Sequence, residues 1–196
     1  MSNQFLDTSL LDKAIIFAVK AHANQERRAK QTPYVIHVLE AVAIAETLTK
    51  DQEILAAAAL HDTVEDTDVK LTDIEREFGP RVSQYVGMET TFIPEGQTEE
   101  ESWRARKQIS IDSIKNSDRD GQIVAMGDKL SNMRAIYRDY MDIGDELWNR
   151  FHEKRKSEHE WHYRSLAASF DKLTNTHAYR EFHSLLNMVF GEKAAE

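Results

Sequence analysis

Apolar residues recur at spacings of three and four along most of the chain, as they do in amphipathic helices. No stretch alternates between apolar and polar residues as a half-buried strand would, so the pattern predicts an all-α fold. The expected elements are a first helix over about 9–23, a second from about Ile36, a third that starts after Asp51 as its N-cap, a long helical segment over about 121–140, and C-terminal helices over 141–190.

Two capping-box patterns and one loop signal indicate where helices begin and end. Thr72 is followed three residues later by Glu75, and Thr98 is followed in the same way by Glu101. Each threonine is therefore a predicted N-cap. The stretch FIPEGQT (92–98) contains proline and glycine and is the clearest loop.

Length and composition are typical of one soluble domain. The chain has 196 residues, of which 41% are hydrophobic, and only 3 are proline and 7 glycine. We find no internal repeat, so a single domain over 1–196 is expected, with its core motifs in 18–136. No apolar run approaches the roughly 20 residues that span a bilayer, and no signal core is visible, which predicts a cytoplasmic protein.

Charge and the absence of cysteine limit the chemistry. A net charge of −9 argues against nucleic acid or a membrane as the main partner, and the oligomeric state stays open. Two segments, 20–30 and 102–119, are locally basic and could attract a small anionic substrate. Because there is no cysteine, any metal ion must be held by His, Asp and Glu side chains.

Imidazole and carboxylate groups stand at or near the ends of otherwise apolar helical segments. His37 follows TPYVI, His61 and Asp62 follow the apolar run ILAAAAL, and Asp128 lies in MGDKLSNMR. Three helices of one core could bring these side chains together. Two imidazoles and two carboxylates suit a divalent transition ion such as Mn²⁺, Fe²⁺ or Zn²⁺. The alternative for each residue alone is a hydrogen-bonded core histidine or a helix-capping aspartate.

Glu65 and Asp66 add two carboxylates within one helical turn of His61 and Asp62. Carboxylates at such a place could transfer protons during hydrolysis, and the alternative is a solvated acidic turn. Asn132, one turn after Asp128, could orient a substrate hydroxyl or a water molecule, unless it faces solvent.

The ordered blocks RRAKQTPYVIH, AALHDTVEDTD and GDKLSNMRAI resemble the metal-dependent HD phosphohydrolase superfamily. Within it, they are similar to the alarmone hydrolase domain of the RelA/SpoT family and to the stand-alone small alarmone hydrolases. The resemblance covers about 18–136. It implies an HD-domain helical bundle and an enzyme that hydrolyses guanosine 3′,5′-bis(diphosphate) (ppGpp) at the 3′ position, releasing pyrophosphate with the help of Mn²⁺.

The resemblance also implies roles for individual residues. The family's metal ligands fall on His37, His61, Asp62 and Asp128, and its catalytic acidic pair falls on Glu65 and Asp66. Its base-stacking basic residue falls on Arg28, and Asn132 matches a residue beside the ribose and phosphates.

The chain also departs from the family pattern in three places. A second basic residue often follows the first directly, whereas here Ala29 separates Arg28 from Lys30. Arg28 and Lys30 are both candidate substrate-binding residues. Val38 replaces a frequent proline, and Ala135 replaces a hydroxyl or bulkier residue. Substrate preference is therefore expected to depend on this chain's own contacts.

Two further groups of residues are candidates for binding. Arg104, Arg106 and Lys107 could hold substrate phosphates, and the alternative is the solvated side of a helix. The stretch HEKRKSEHEWH places His159 and His162 three residues apart, a spacing that some metal pairs use, with His152 upstream. An exposed polar helix explains that composition equally well.

Two other functions stay open at this point. One is an HD-type phosphohydrolase that acts on another phosphorylated nucleotide. The other is a module that senses a nucleotide without hydrolysing it. The complete set of ligands and the acidic pair argue for catalysis.

Overall fold

The computed structural model describes residues 7–27 and 31–192. The α-helices are α1 (Ser9–Ala21), α2 (Val35–Glu46), α3 (Gln52–Leu60), α4 (Thr63–Asp66), α5 (Leu71–Phe78), α6 (Pro80–Glu89), α7 (Glu99–Asn116), α8 (Arg119–Ile143), α9 (Lys156–Ser169) and α10 (His177–Phe190), with a 3-10 helix over Gly144–Arg150. Within this described part, the only β pairing is an isolated bridge between Glu26 and Pro33. The predicted all-α fold is confirmed. That residues 1–196 form one domain stays a prediction.

Helix caps were predicted correctly in two places and wrongly in one. The Asp51 side chain accepts a hydrogen bond from the Glu53 N–H, and Thr98 forms a reciprocal capping box with Glu101. Thr72, however, lies inside α5, because the helix begins one residue earlier and Asp73 accepts from the N–H of residue 70.

Helix α3 lies at the centre of the core. All seven residues of its run 54–60 are buried, and four of them are alanines. Because alanine is short, neighbouring helices can approach closely on several sides, and α1, α2, α6 and α8 all pack against α3. The C-terminal end of this buried helix is where His61 and Asp62 begin.

Helices α2 and α8 pack closely at Gly127. A Cβ atom at this position would lie 2.7 Å from the backbone oxygen of Ala41. Since that neighbour is backbone, a larger residue would force the two helices apart. Gly127 immediately precedes Asp128, so its small size brings α8 close to the helix that carries His37.

Gly127→Ala should therefore destabilise the fold by about 1–3 kcal/mol, as overpacking typically does. Gly87→Ala in α6 is the control, because its Cβ would lie 3.3 Å from the flexible Leu71 side chain and alanine favours helix. Thermal unfolding of the two variants compares them. An unfolding temperature for Gly127→Ala equal to that of the wild type would contradict the close packing.

The C-terminal helices pack on the first part of the chain in two places. Helix α9 packs on α7, and α10 packs on α8 and α9. In the described part, none of the helices has the length and apolar character needed to cross a membrane.

Candidate active site

Four side chains from three helical segments meet beside the end of α3. His37 lies in the first turn of α2, and His61 and Asp62 directly follow α3. Asp128 comes from the middle of α8. His37, His61 and Asp128 are buried and Asp62 is half-buried. The structure thus brings together all four residues predicted as metal ligands.

The facing atoms of these side chains form a tight cluster. His37 Nε2 lies 3.3 Å from His61 Nε2 and 3.1 Å from Asp128 Oδ1. Asp62 Oδ2 lies 2.7 Å from His61 Nε2 and 3.4 Å from His37 Nε2. One donor atom from each residue lies within 4.8 Å of all the others.

This donor set fits a divalent ion. Atoms about 2.1 Å from one ion lie about 3.0–3.4 Å from each other in octahedral or tetrahedral geometry, close to the separations observed. His61 Nδ1 lies 2.9 Å from the Ala58 carbonyl oxygen, which can only accept a hydrogen bond. Nδ1 therefore carries the proton, and the Nε2 lone pair is the one that faces the cluster.

Within the cluster, Asp128 and His61 shift each other's pKa. Burial opposes the ionised form of Asp128, but Lys129 and the two histidines hold its pKa well below the usual value. Burial likewise opposes the charged form of His61, but Asp62 and Asp128 raise its pKa well above the usual value. A proton and a divalent cation compete for the same imidazole lone pair, because a ligating histidine must be neutral.

Tyr34 is a contributor that the sequence reasoning did not single out. Its hydroxyl donates a hydrogen bond of 2.6 Å to Asp62 Oδ2, and its ring stacks on His22 at a centroid distance of 4.9 Å. Tyr34 thereby holds one carboxylate oxygen in place. The quoted PYVIH motif contained this residue, but spacing alone did not indicate its partner.

Glu65 and Asp66 lie beside the cluster, in the short helix α4. Both line the pocket that opens onto it. Burial raises the pKa of each carboxyl group, and the charge of Asp62 adds to the effect. The Thr91 N–H donates a 2.8 Å hydrogen bond to Glu65 Oε2, which fixes the carboxylate and works against that rise. Both residues are exposed to solvent, so the acidic pair is an accessible turn in which the Glu65 carboxylate is held by Thr91.

The pocket above the cluster has a volume of about 380 Å³. Its walls come from α2, α4, α7, α8 and the C-terminal region, and they carry both acidic and basic side chains. A larger groove of about 640 Å³ between α6 and α7 is lined by neither imidazole nor cationic side chains. We therefore assign the chemistry to the pocket beside the cluster.

Two lysines of the pocket differ in their partners. Lys129 Nζ pairs with Asp128 and lies 2.9 Å from Glu89 Oε2, and these carboxylates raise its pKa against the effect of burial. Within the described part of the chain, no hydrogen bond or ion pair is found for the ammonium of Lys107, which lies 6.0 Å from the centre of the Trp103 ring. Burial, and then the charge of Lys129, lower the pKa of Lys107.

The predicted substrate contacts have different outcomes. Asn132 lines the pocket, where its amide donates to Asp128 and its oxygen accepts from Arg27. Arg27, which the sequence reasoning passed over, therefore lies where a basic residue was expected. Arg28 and Lys30 fall outside the described residues, so their predicted roles stay predictions.

Only some basic residues of α7 face the pocket. Arg106 and Lys107 line it. Arg104 does not, because its guanidinium packs 4.0 Å from the Trp161 ring centre and pairs with Glu158. This position outside the pocket gives no support to the predicted contact of Arg104 with substrate, which stays a prediction.

The histidine-rich stretch belongs to an aromatic cluster in the pocket wall. His159 stacks on Trp148 at 4.9 Å and donates from Nε2 to the Glu153 carbonyl oxygen, 2.7 Å away. His162 packs edge-on against Trp103. Both histidines are buried, which corrects the expectation of an exposed polar helix. Among the described residues, the cluster at His37 is the only potential metal site found.

A family model for the HD domain matches residues 14–154, which include every residue of the four-ligand cluster. The chain belongs to the HD domain family. The family resemblance inferred from the quoted motifs is thereby confirmed.

Several curated relatives are similar to this HD domain chain. It is 35% identical over 123 residues to guanosine-3′,5′-bis(diphosphate) 3′-pyrophosphohydrolase MESH1 of Drosophila melanogaster, covering 61% of this chain and 65% of the relative. It is 33% identical to the human protein of the same name, and the match covers 67% of this chain and 72% of the human protein. Identity to the GTP pyrophosphokinase rsh of Brucella ovis is 30%, over 67% of this chain but 17% of that protein. The chain thus spans less than two thirds of the Drosophila relative and about a sixth of the Brucella one.

Solved structures share the fold of this HD domain chain. One, described as a metazoan ortholog of SpoT that hydrolyses ppGpp, superimposes with a TM-score of 0.76 at 22% identity, covering 96% of this chain and 99% of the other. Another, lmo0812 from Listeria monocytogenes, superimposes with a TM-score of 0.68 at 21% identity. The match covers 80% of this chain and 99% of the Listeria chain. At these identities the likeness establishes the helical fold.

Proposed function

We propose that the chain is a divalent-metal-dependent hydrolase that acts on ppGpp at the 3′ position and releases pyrophosphate. The observation that carries the proposal is the convergence of two imidazoles and two carboxylates beside a second acidic pair in one pocket. The names of the MESH1 relatives supply the substrate, and two of them, from human and zebrafish, are matched over more than two thirds of their length.

His37, His61, Asp62 and Asp128 would hold the ion. Their mixed nitrogen and oxygen donors suit a divalent transition ion, and among these we propose Mn²⁺ because the family resemblance implies it. When bound, a divalent ion activates water and neutralises phosphate charge. Tyr34 would keep one Asp62 oxygen oriented, and Lys129 would keep Asp128 ionised. Side chains of the protein, rather than the ion, would perform both of these roles.

Glu65 and Asp66 would transfer the protons. Hydrolysis requires a base to take a proton from the attacking water and an acid to give one to the departing oxygen. The raised pKa of each carboxyl group brings its protonation closer to neutral pH than that of an ordinary carboxylate. The bond from the Thr91 N–H holds Glu65 in one orientation.

Lys107 is the side chain best suited to receive a phosphate group. It is a cation in the pocket wall without an ion-pair partner among the described residues, and burial, together with Lys129 and Arg106 nearby, lowers its pKa. A bound phosphate would supply the missing counter-charge. The ion pair would be partly desolvated and therefore stronger than one at the surface.

Lys107→Ala should accordingly raise KM for the nucleotide about tenfold and change kcat less. Lys115→Ala is the matched control, because Lys115 lies on the same helix but is exposed and outside the pocket. Steady-state kinetics on both variants separate the two constants. An unchanged KM for Lys107→Ala would remove this residue from the binding site.

The rival functions are tested by a panel of substrates with product analysis. We expect ppGpp to give GDP and pyrophosphate in preference to the other phosphorylated nucleotides of the panel. Faster hydrolysis of a nucleotide without a 3′-diphosphate would favour the broader phosphohydrolase. Binding of ppGpp by metal-loaded protein without any product would favour the sensing module.

A further inference from the structure

His37 is connected through a serine hydroxyl to a carboxylate on its own helix. Its Nδ1 lies 2.8 Å from Ser131 Oγ, and Ser131 Oγ donates a 2.8 Å hydrogen bond to Glu40 Oε2. His37 and Glu40 are one turn apart on α2, and Ser131 faces them from α8. Ser131 is fully buried, so these two groups are its partners rather than solvent.

The directions of these hydrogen bonds follow from the number of protons. A hydroxyl has one proton, and an ionised carboxylate can only accept. The proton of Ser131 is therefore directed to Glu40, and the serine oxygen must accept from His37. His37 then carries its proton on Nδ1, and its Nε2 lone pair faces the metal cluster.

Arginine side chains hold the far end of this connection. Arg134 Nη1 donates to the second oxygen of Glu40 at 3.3 Å, and its Nε and Nη2 form a bidentate pair with Glu181 of α10 at 2.6 and 2.8 Å. Arg138 lies 3.9 Å from Glu40 Oε2. A guanidinium group can only donate, so Glu40 is the acceptor for both Arg134 and Ser131. The last helix is thereby linked to a metal ligand.

The two histidines of the site are thus oriented by different means. A backbone carbonyl accepts from Nδ1 of His61, whereas a side-chain relay accepts from Nδ1 of His37. In water, neutral histidine favours the proton on Nε2. That tautomer could not ligate a metal ion through Nε2, so the relay selects the less favoured form.

We propose that Ser131 and Glu40 are positioning residues that fix the tautomer of His37 and thereby set the affinity of the site for its divalent ion. This inference rests on the proposed function only through the metal. Partners of this kind next to a ligating histidine typically change metal affinity about 10–100-fold when removed.

Ser131→Ala removes the acceptor for His37 Nδ1 and leaves a buried N–H without a partner. The dissociation constant for Mn²⁺ should rise about 10–100-fold, measured on metal-stripped protein by the electron paramagnetic resonance of free Mn²⁺. The matched control is Ser169→Ala. Ser169 is also a buried helical serine, and its hydroxyl donates to the Ser165 carbonyl oxygen in α9.

Glu40→Gln tests whether the two residues act in series. An amide can turn its NH₂ toward Ser131 and reverse the hydroxyl, so this variant should weaken Mn²⁺ binding about tenfold. If Glu40 acts on His37 through Ser131, the double variant should bind Mn²⁺ as Ser131→Ala does, within about threefold. If the two substitutions acted independently, the factors by which they raise the dissociation constant for Mn²⁺ would instead multiply.

The outcomes separate this inference from the function on which it rests. Wild-type protein that binds Mn²⁺ while Ser131→Ala binds it as tightly as Ser169→Ala would overturn the relay alone. Multiplied losses in the double variant would also overturn it. Wild-type protein that binds no divalent ion would contradict the metal site itself, and with it the proposed function.

Discussion

Glu65→Gln should lower kcat about 100-fold or more and leave the affinity for Mn²⁺ within about threefold of the wild type. Glutamine keeps the size of the side chain and can still accept from the Thr91 N–H, but it cannot carry a proton between water and the departing group. Loss of a general acid or base typically costs 10²–10⁴-fold in rate. Steady-state kinetics at saturating Mn²⁺, together with metal titration, measure both quantities.

The control for this variant is Glu75→Gln. Glu75 is an exposed glutamate of α5 that does not line the pocket. The Glu75→Gln variant carries the same chemical change away from the site and should keep full activity. Turnover by Glu65→Gln within threefold of the wild type would show that Glu65 is not the proton-transfer group.

Asp62→Asn should have an effect of similar size, but on the metal. The carboxylate lies 2.7 Å from His61 Nε2 and 3.4 Å from His37 Nε2 and is one of the four clustered donors. Loss of a residue that only supports a ligand typically costs about 10–100-fold in metal affinity, so loss of a charged ligand itself should cost about 100-fold or more. Calorimetric titration with Mn²⁺ should show this loss, and hydrolysis should fall with it.

Asp68→Asn is the control for the metal variant. Asp68 is exposed and belongs to the same acidic stretch, but it does not line the pocket. Circular dichroism would establish that both variants keep their helices. If Asp62→Asn bound Mn²⁺ as tightly as Asp68→Asn, the ion would have to be held elsewhere.

The sequence predicted the helices and the metal cluster for related reasons. Hydrophobic periodicity indicates which side of a helix is buried, and a polar residue that ends a buried run must find polar partners. His61 and Asp62 end the buried helix α3 in just this way. The pairing of His37 with Asp128 followed from requiring partners for charge inside a core.

Other features depend on side-chain direction, which periodicity does not determine. Arg104 and Lys107 are both basic residues of α7, but one packs on Trp161 and the other lines the pocket. The histidines of α9 look polar in sequence, whereas aromatic neighbours from α7 and the 3-10 helix bury them. Such contacts depend on how helices distant in sequence are rotated against each other.

Small polar residues at helix contacts were missed for a similar reason. Ser131 lies inside the quoted block GDKLSNMRAI, between the highlighted Asp128 and Asn132, but a serine in a helix gives no signal by itself. Its role became visible only when α2 placed His37 and Glu40 on either side of its hydroxyl. The N-cap predicted at Thr72 failed because Asp73 provided a competing acceptor next to it.

The decisive experiment follows pyrophosphate release from ppGpp by metal-stripped protein before and after Mn²⁺ is restored. We expect no release without the ion and full recovery with about one Mn²⁺ per chain, with GDP as the second product. Hydrolysis that continues after complete removal of metal would contradict a metal-dependent site. Absence of release from folded, Mn²⁺-loaded protein would contradict the proposed substrate.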